Sequence, residues 1–389
     1  MTILMEPQTE QAFQQLKDEV TAWVEGPGEA FADEIERTGQ VPARVFEELK
    51  DHGWLSLAAP VELGGRGIPF SRYLEVMEIV SRSHASIRML VHVINGTWRA
   101  MAPYATPAQL EEVVKPSIAG DKLVAFTLTE ATAGTGADIR TTVRREGDTY
   151  VMNGEKHLIT FGVKCDYWLI AARLEGSTGQ DGTVAFLMPN TGLPGTEVID
   201  DSDTMGIRGT DHAILRFTDT PIPASARLGE EGQGLEVTLG GFLLPSRVSV
   251  AMSAVGLAER ANQLAVEYAN KRETFGKPLS SRQAIQFSLA ENYADIAAAR
   301  ALVFEAARAY EEGRADAGTL SSASKMIAVD MLARVTDKAL QVHGGQGYWK
   351  RNTIERVYRD ARAQRFEEGT NEIQKLVVGR AVVTGKAGF

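Results

Sequence analysis

The chain has 389 residues, 41 Lys+Arg against 51 Asp+Glu, and a formal net charge of −10. With 44% hydrophobic and 24% charged residues it can bury a sizeable core, which excludes a disordered chain, and its acidic balance disfavours a general nucleic-acid partner. A single cysteine, Cys165, excludes an intramolecular disulfide and a cysteine zinc cage and fits a reducing, cytoplasmic setting.

In chain order, the first eleven residues lack the apolar or Arg-rich pattern of a targeting segment. No run of about 18 uninterrupted apolar residues occurs, so no membrane span is expected. Helices are expected over 10–24, 42–52 and 73–83, with a Gly-rich loop at 60–69. The pattern then changes to apolar runs of strand length at 123–130, 167–172, 183–187 and 213–217. Asn153-Gly154, between 150–152 and 156–160, predicts a hairpin turn. No helical pattern separates these strands, which points to a small antiparallel barrel or sandwich. The last proline is Pro278, leaving 389 − 278 = 111 residues without the strongest helix breaker. Within them Ile285, Leu289, Tyr293, Ile296 and Val303 recur at helical spacing. The expected fold is therefore mainly α with a central β domain: helices over 1–121, a small β-barrel over 122–229, and a helical bundle over 230–389.

The chain has no GxGxxG after a strand, no P-loop, no HExxH and no GxSxG, and its six histidines are scattered, so neither a metal site nor a Rossmann dehydrogenase has support. Four loops remain. Residues 129–136 (TEATAGTG) follow a strand and offer hydroxyls and backbone N–H groups to a heterocycle or phosphate, or form a plain turn. In 272–278 (RETFGKP) an arginine stands beside a bend, suited to a pyrophosphate or merely a solvated helix end. Residues 341–348 (QVHGGQGY) put three glycines at a helix end, where a single cap needs one. Residues 366–374 (FEEGTNEIQ) combine acidic groups with a helix cap at Thr370.

Together and in this order, these segments resemble the acyl-CoA dehydrogenase family over nearly the whole chain. The most specific matches are 268–283 (YANKRETFGKPLSSRQ), 341–348 and 359–374 (RDARAQRFEEGTNEIQ), with 205–211 (MGIRGTD) closing the β domain. The resemblance implies a β-barrel between helical domains, a C-terminal four-helix bundle, a homotetramer and one FAD per subunit. By position, Phe126, Leu128, Thr129, Gly134 and Thr135 would line the flavin, with Thr160 at its ring. Arg272, Phe275, Gln283, Gln341 and Gly345 would hold the FAD of a neighbouring subunit, Thr370 and Glu372 match positions that contact the FAD phosphate and ribose region, and Arg247 would face the substrate. Glu368 matches the catalytic base, removing the α-proton of an acyl-CoA thioester while the β-hydrogen leaves as hydride, with an electron-transferring flavoprotein as the next acceptor.

Some positions depart from the pattern. Ala131 replaces a proline, and Gly136 an acidic residue that returns late as Asp138. Leu158 stands for a flavin-covering tryptophan, and Leu244 for an aspartate three before Arg247. Ser246 fills the alternative position of the base, and Glu367 one that is usually aromatic or apolar. Arg88, His92 and Asn95 lie near the stretch that often lines the acyl tail, though Arg88 by itself reads as a solvated side chain. Alternatives on the same fold are a dehydrogenase of carrier-protein-bound acyl chains and an oxygen-using flavin oxidase; from another class, a non-catalytic helical assembly protein.

Overall fold

The computed structural model describes residues 9–133, 136 and 138–388. Helix α1 (Glu10–Trp23) starts at Thr9, whose hydroxyl accepts the Ala12 N–H, and buries Phe13, Leu16, Val20 and Trp23 on one face. Gly26-Pro27-Gly28 does not end the helical path: one π turn, Val24–Gly28, widens the helix enough to admit Pro27 and leads into α2 (Glu29–Thr38). There follow α3 (Ala43–Asp51), α4 (Phe70–Val80), α5 (Ala85–Met101) and the short α6 (Pro107–Gln109) and α7 (Lys115–Ala119).

The middle of the chain forms one sheet. Its strands are β1 (Val124–Thr127), β2 (Thr142–Glu146), β3 (Thr149–Thr160), β4 (Tyr167–Leu174), β5 (Thr183–Pro189), β6 (Thr196–Asp200), β7 (His212–Pro223) and β8 (Arg227–Leu228). Their order is β6-β7-β3-β2-β4-β5-β8, with β1 beside β4. Tyr150, Met152, Trp168, Ile170, Phe186 and Leu215 point inward from β3, β4, β5 and β7 into one core. Two expectations need correction. The sheet is mixed, because β1 and β2 run parallel to β4. Asn153-Gly154 is not a turn: β3 passes straight through it, and the hairpin bends at Gly147-Asp148 instead. A Cβ on Gly154 would lie 2.7 Å from the Thr141 Cα, so this glycine admits a crossing chain and marks a bulge. Asn153 is occupied across the ladder, accepting the Asp219 N–H at 2.9 Å.

The C-terminal part comprises α8 (Leu243–Lys271), the β9 (Glu273–Thr274) and β10 (Lys277–Pro278) hairpin, α9 (Gln283–Glu311), α10 (Ala317–His343), α11 (Thr353–Ala363) and α12 (Asn371–Val383). By length and composition Glu236–Lys271 is apolar enough to cross a bilayer, which a search for uninterrupted runs overlooks because Ser246 and Arg247 interrupt it. Yet 78% of its most apolar window is buried in the fold, as the central bundle helix. Small residues let α8 sit close to its neighbours: a Cβ on Gly256 would meet the Glu78 carbonyl oxygen of α4 at 2.1 Å. Residues from α1 to α5 and from α8 to α11 share one hydrophobic core. That shared core holds α5 against the chain between α11 and α12.

Candidate active site

The turn between α11 and α12 carries two adjacent glutamates in a conformation that side chains avoid. Glu368 has φ 53° and Gly369 φ 92°. Such a backbone costs about 1–3 kcal/mol at a non-glycine residue and persists only where its surroundings enforce it. Here they do. Lys325 Nζ donates to the carbonyls of Arg365 (3.0 Å) and Gly369 (2.9 Å). The Glu368 carbonyl accepts from Arg247 Nε at 3.2 Å and from Gln374 Nε2 at 3.1 Å. Thr370 caps α12, while Asp330 Oδ1 accepts from both Asn371 (2.8 Å) and Arg365 (2.6 Å).

Helix α5 meets this turn with residues one helical turn apart. Both terminal nitrogens of Arg88 donate to the Glu367 carboxylate, at 2.9 Å each. The Arg88 side chain is 1% exposed, so it is not the solvated residue that its sequence context suggests. His92 Nε2 lies 3.0 Å from Ser246 Oγ and 3.7 Å from Glu368 Oε1. Burial alone would raise the Glu367 carboxyl, but the charge and hydrogen bonds of Arg88 outweigh it and hold Glu367 below the usual carboxylate range. Lys325 shows the opposite balance: burial pulls its ammonium down to about 8, although Glu367 and Glu368 favour its charge. Of the two glutamates, Glu367 is committed to Arg88. Glu368 keeps a side chain 18% accessible, with His92 beyond hydrogen-bond distance.

On the β side, a buried ion pair fixes the strand ends. Lys156, wholly buried on β3, donates to Glu130 (2.9 Å) and to the Leu128 carbonyl (3.1 Å). Glu130 also accepts the Arg140 and Thr141 N–H groups, and these contacts with Lys156 overcome the effect of burial to keep it ionised. The chain after β1 is thereby held along β3, where the His157 N–H reaches the Thr129 carbonyl at 2.8 Å. Phe126, Thr129 and Thr160 are half-buried there. Leu128 is 4% exposed and packs into the core, leaving only its backbone for a ligand. Gly134 and Thr135 lie outside the described residues.

The remaining expected residues sit on the bundle surface. Arg272, Gln283, Gln341, Gly345, Thr370 and Glu372 are exposed, and Phe275 is 99% exposed at φ 49° on the tip of the β9–β10 hairpin. Thus the structure gathers Glu368, Arg247 and Thr370 around one turn and leaves the Arg272 and Gln341 groups facing outward. Sequence reasoning missed Lys325, Lys156 and the partner of Arg88.

Three domain profiles match in chain order: acyl-CoA dehydrogenase N-terminal domain (residues 10–121), middle domain (125–220) and C-terminal domain (232–383). The chain belongs to the acyl-CoA dehydrogenase family. It is 32% identical to an acyl-CoA dehydrogenase of Bacillus subtilis, over 91% of this chain and 93% of that one. Acryloyl-CoA reductase (NADH) of Anaerotignum propionicum is 37% identical, over 91% and 90% respectively. Butyryl-CoA dehydrogenase of Megasphaera elsdenii superposes with a TM-score of 0.89 at 32% identity, covering 95% of this chain and 98% of that structure. As an acyl-CoA dehydrogenase family member the protein is a flavin-dependent oxidoreductase acting on CH–CH bonds, with FAD as cofactor. The residues present fit that group. Among the described residues the hydroxyls of Thr129 and Thr160 make no hydrogen bond. Leu158, 58% exposed at φ 57°, and Phe275 each hold an apolar side chain in solvent on a strained backbone, as residues waiting for a planar partner would.

Proposed function

We propose that the protein catalyses α,β-dehydrogenation of an acyl-CoA thioester, with Glu368 as the base that takes the α-proton. The supporting observation is the division of labour at the turn: Arg88 occupies Glu367, while Glu368 is accessible and held rigidly through its own carbonyl. FAD, when bound, supplies the acceptor for the β-hydrogen. In this reading Phe126, the Leu128 backbone, Thr129, Gly134, Thr135 and Thr160 line the flavin. Arg272, Phe275, Gln283, Gln341 and Gly345 serve a neighbouring copy's FAD, and Thr370 and Glu372 face the FAD phosphate and ribose region. Arg247 orients the turn beside the substrate. The reading includes a homotetramer, an electron-transferring flavoprotein as acceptor, a cytoplasmic setting, and domain boundaries at 121/122 and 229/230.

Glu368→Gln is nearly isosteric and should retain FAD, while anaerobic flavin bleaching by a thioester substrate slows about 100-fold or more, as for a lost general base. Bleaching at the parental rate in that variant would overturn the assignment. The acryloyl-CoA reductase relative supports a second reading, in which the same carboxylate returns a proton to an enoyl thioester. Faster flavin turnover from the reduced protein with enoyl-CoA than from the oxidised protein with acyl-CoA would favour that direction.

A further inference from the structure

Three segments of the β domain meet at one buried point: the chain leaving β1 (128–130), the chain entering β2 (140–141) and the end of β3 (154–157). The Glu130 side chain, 4% exposed, accepts the Arg140 N–H at 2.6 Å. It also accepts the Thr141 N–H and Lys156 Nζ, at 2.9 Å each. Lys156 spends a second N–H on the Leu128 carbonyl at 3.1 Å. Immediately after Lys156 the register of β3 against β7 shifts by one residue, which marks a bulge at His157-Leu158. At this bulge the His157 N–H donates to the Thr129 carbonyl, and Leu158 turns to φ 57° with its side chain in solvent. A buried ion pair therefore stands directly behind the bend that aims Leu158 outward.

Such a pair contributes little net stability, because desolvation offsets the attraction and uncharged residues of similar shape serve as well. What it adds here is a single permitted register. Sliding the exit of β1 along β3 by one residue would strand both ions in the interior. We propose that Glu130 and Lys156 are positioning residues for the cofactor, locking the β3 bulge and the exit of β1 in the arrangement that presents Thr129, Leu158 and Thr160 to the flavin. The proposal rests on the FAD placement given above. Neither ion has to touch FAD, since the hydrogen bonds of both end on this chain. The pair carries no net charge, so removing it whole alters position rather than the field at the cofactor.

The test uses the full-length, FAD-loaded protein and the rate of flavin release on dilution, followed by free-flavin fluorescence. Lys156→Met with Glu130→Gln removes both charges together and leaves an oxygen for the Arg140 and Thr141 N–H groups. This variant should unfold close to the parent yet release FAD about tenfold faster or more, as a loosened support allows. A merely structural role would instead lower the unfolding midpoint and leave release from the folded protein unchanged, and that result overturns the proposal. Thr129→Val with Thr160→Val tests the underlying placement, because it removes both hydroxyls with little change of shape. If it releases FAD faster while the charge-free variant matches the parent, the pair is not a positioning device and the flavin placement stands. Parental release rates in both variants remove the placement as well. Should the charge-free variant fail to fold, hydrogen exchange in the parent holoprotein decides. The Thr141 amide, held by the Glu130 carboxylate, should exchange as slowly as the core amides of β4. Exchange at the rate of an open loop overturns the proposal.

Discussion

Lys325 shows how one buried amine can carry a measurable pH signature. It is 0% exposed, and its ammonium bridges two carbonyls of the Glu368 turn. Burial lowers its pKa to about 8 in the folded chain, whereas an unfolded lysine keeps its proton to about 10.4. Between those values the unfolded state binds more protons, so this group's penalty on the fold is present below pH 8 and relieved as pH rises. The unfolding free energy of the parent relative to Lys325→Met should therefore increase from pH 8 to pH 10, by on the order of 1–2 kcal/mol. Denaturant titrations across that range measure it, and a flat difference refutes the burial account. The adjacent glutamates should separate just as clearly. Glu367→Gln strands the Arg88 charge in the interior and should cost about 3–5 kcal/mol, whereas Glu368→Gln, with no such partner, should unfold close to the parent. Equal denaturation midpoints for the two would contradict the pairing. Arg88 also shows the limit of reading residues locally: its partner lies 279 positions away, so no spacing rule could join them.

At the scale of elements, α4 and α8 approach so closely that the backbone itself becomes the contact. A methyl on Gly256 would press on the Glu78 carbonyl, and no side chain can rotate to relieve it. Gly256→Ala should destabilise by about 1–3 kcal/mol or more, despite the better helix propensity of alanine. Gly318→Ala, with nothing within 4 Å in α10, should instead be neutral or gain up to about 1 kcal/mol. Thermal denaturation of the pair tests packing against propensity. The same distinction explains which elements were legible. α1 and α3 bury one face and so announce themselves by period, whereas α5 is buried nearly all round and hides among apolar neighbours. Asn153-Gly154 carries every local mark of a hairpin, yet its glycine serves a crossing segment and its asparagine serves β7. The tertiary contact, invisible in one strand's sequence, decides. The Glu368 turn was legible because its cap and glycine are local. Its support from α5, α8 and α10 was not.

For the whole molecule, the decisive feature is that the proposed cofactor-holding residues divide between the sheet and the exposed surface of the bundle. Phe126, Thr129 and Thr160 belong to the sheet, while Arg272, Phe275, Gln283, Gln341 and Gly345 lie exposed at the ends of α8, α9 and α10. Phe275 and Gly276 form a two-residue hairpin tip with φ of 49° and 71°, a turn that favours asparagine and glycine. Placing a fully exposed phenylalanine there is unfavourable for an isolated chain in both backbone strain and exposed apolar area. Contact with a second copy and its flavin would offset both. Phe275→Gly should therefore leave the unfolding of the isolated chain unharmed, or slightly improved, by up to about 1 kcal/mol. It should nevertheless lower FAD retained per chain and the fraction of assembled protein after dilution. Arg272→Ala should act in the same direction, because a guanidinium near a pyrophosphate binds it through paired hydrogen bonds. Absorbance of flavin against protein, taken on each peak of a size-exclusion separation, reads both quantities together. Monomers that keep one FAD per chain on dilution would show instead that a single copy completes its own cofactor site.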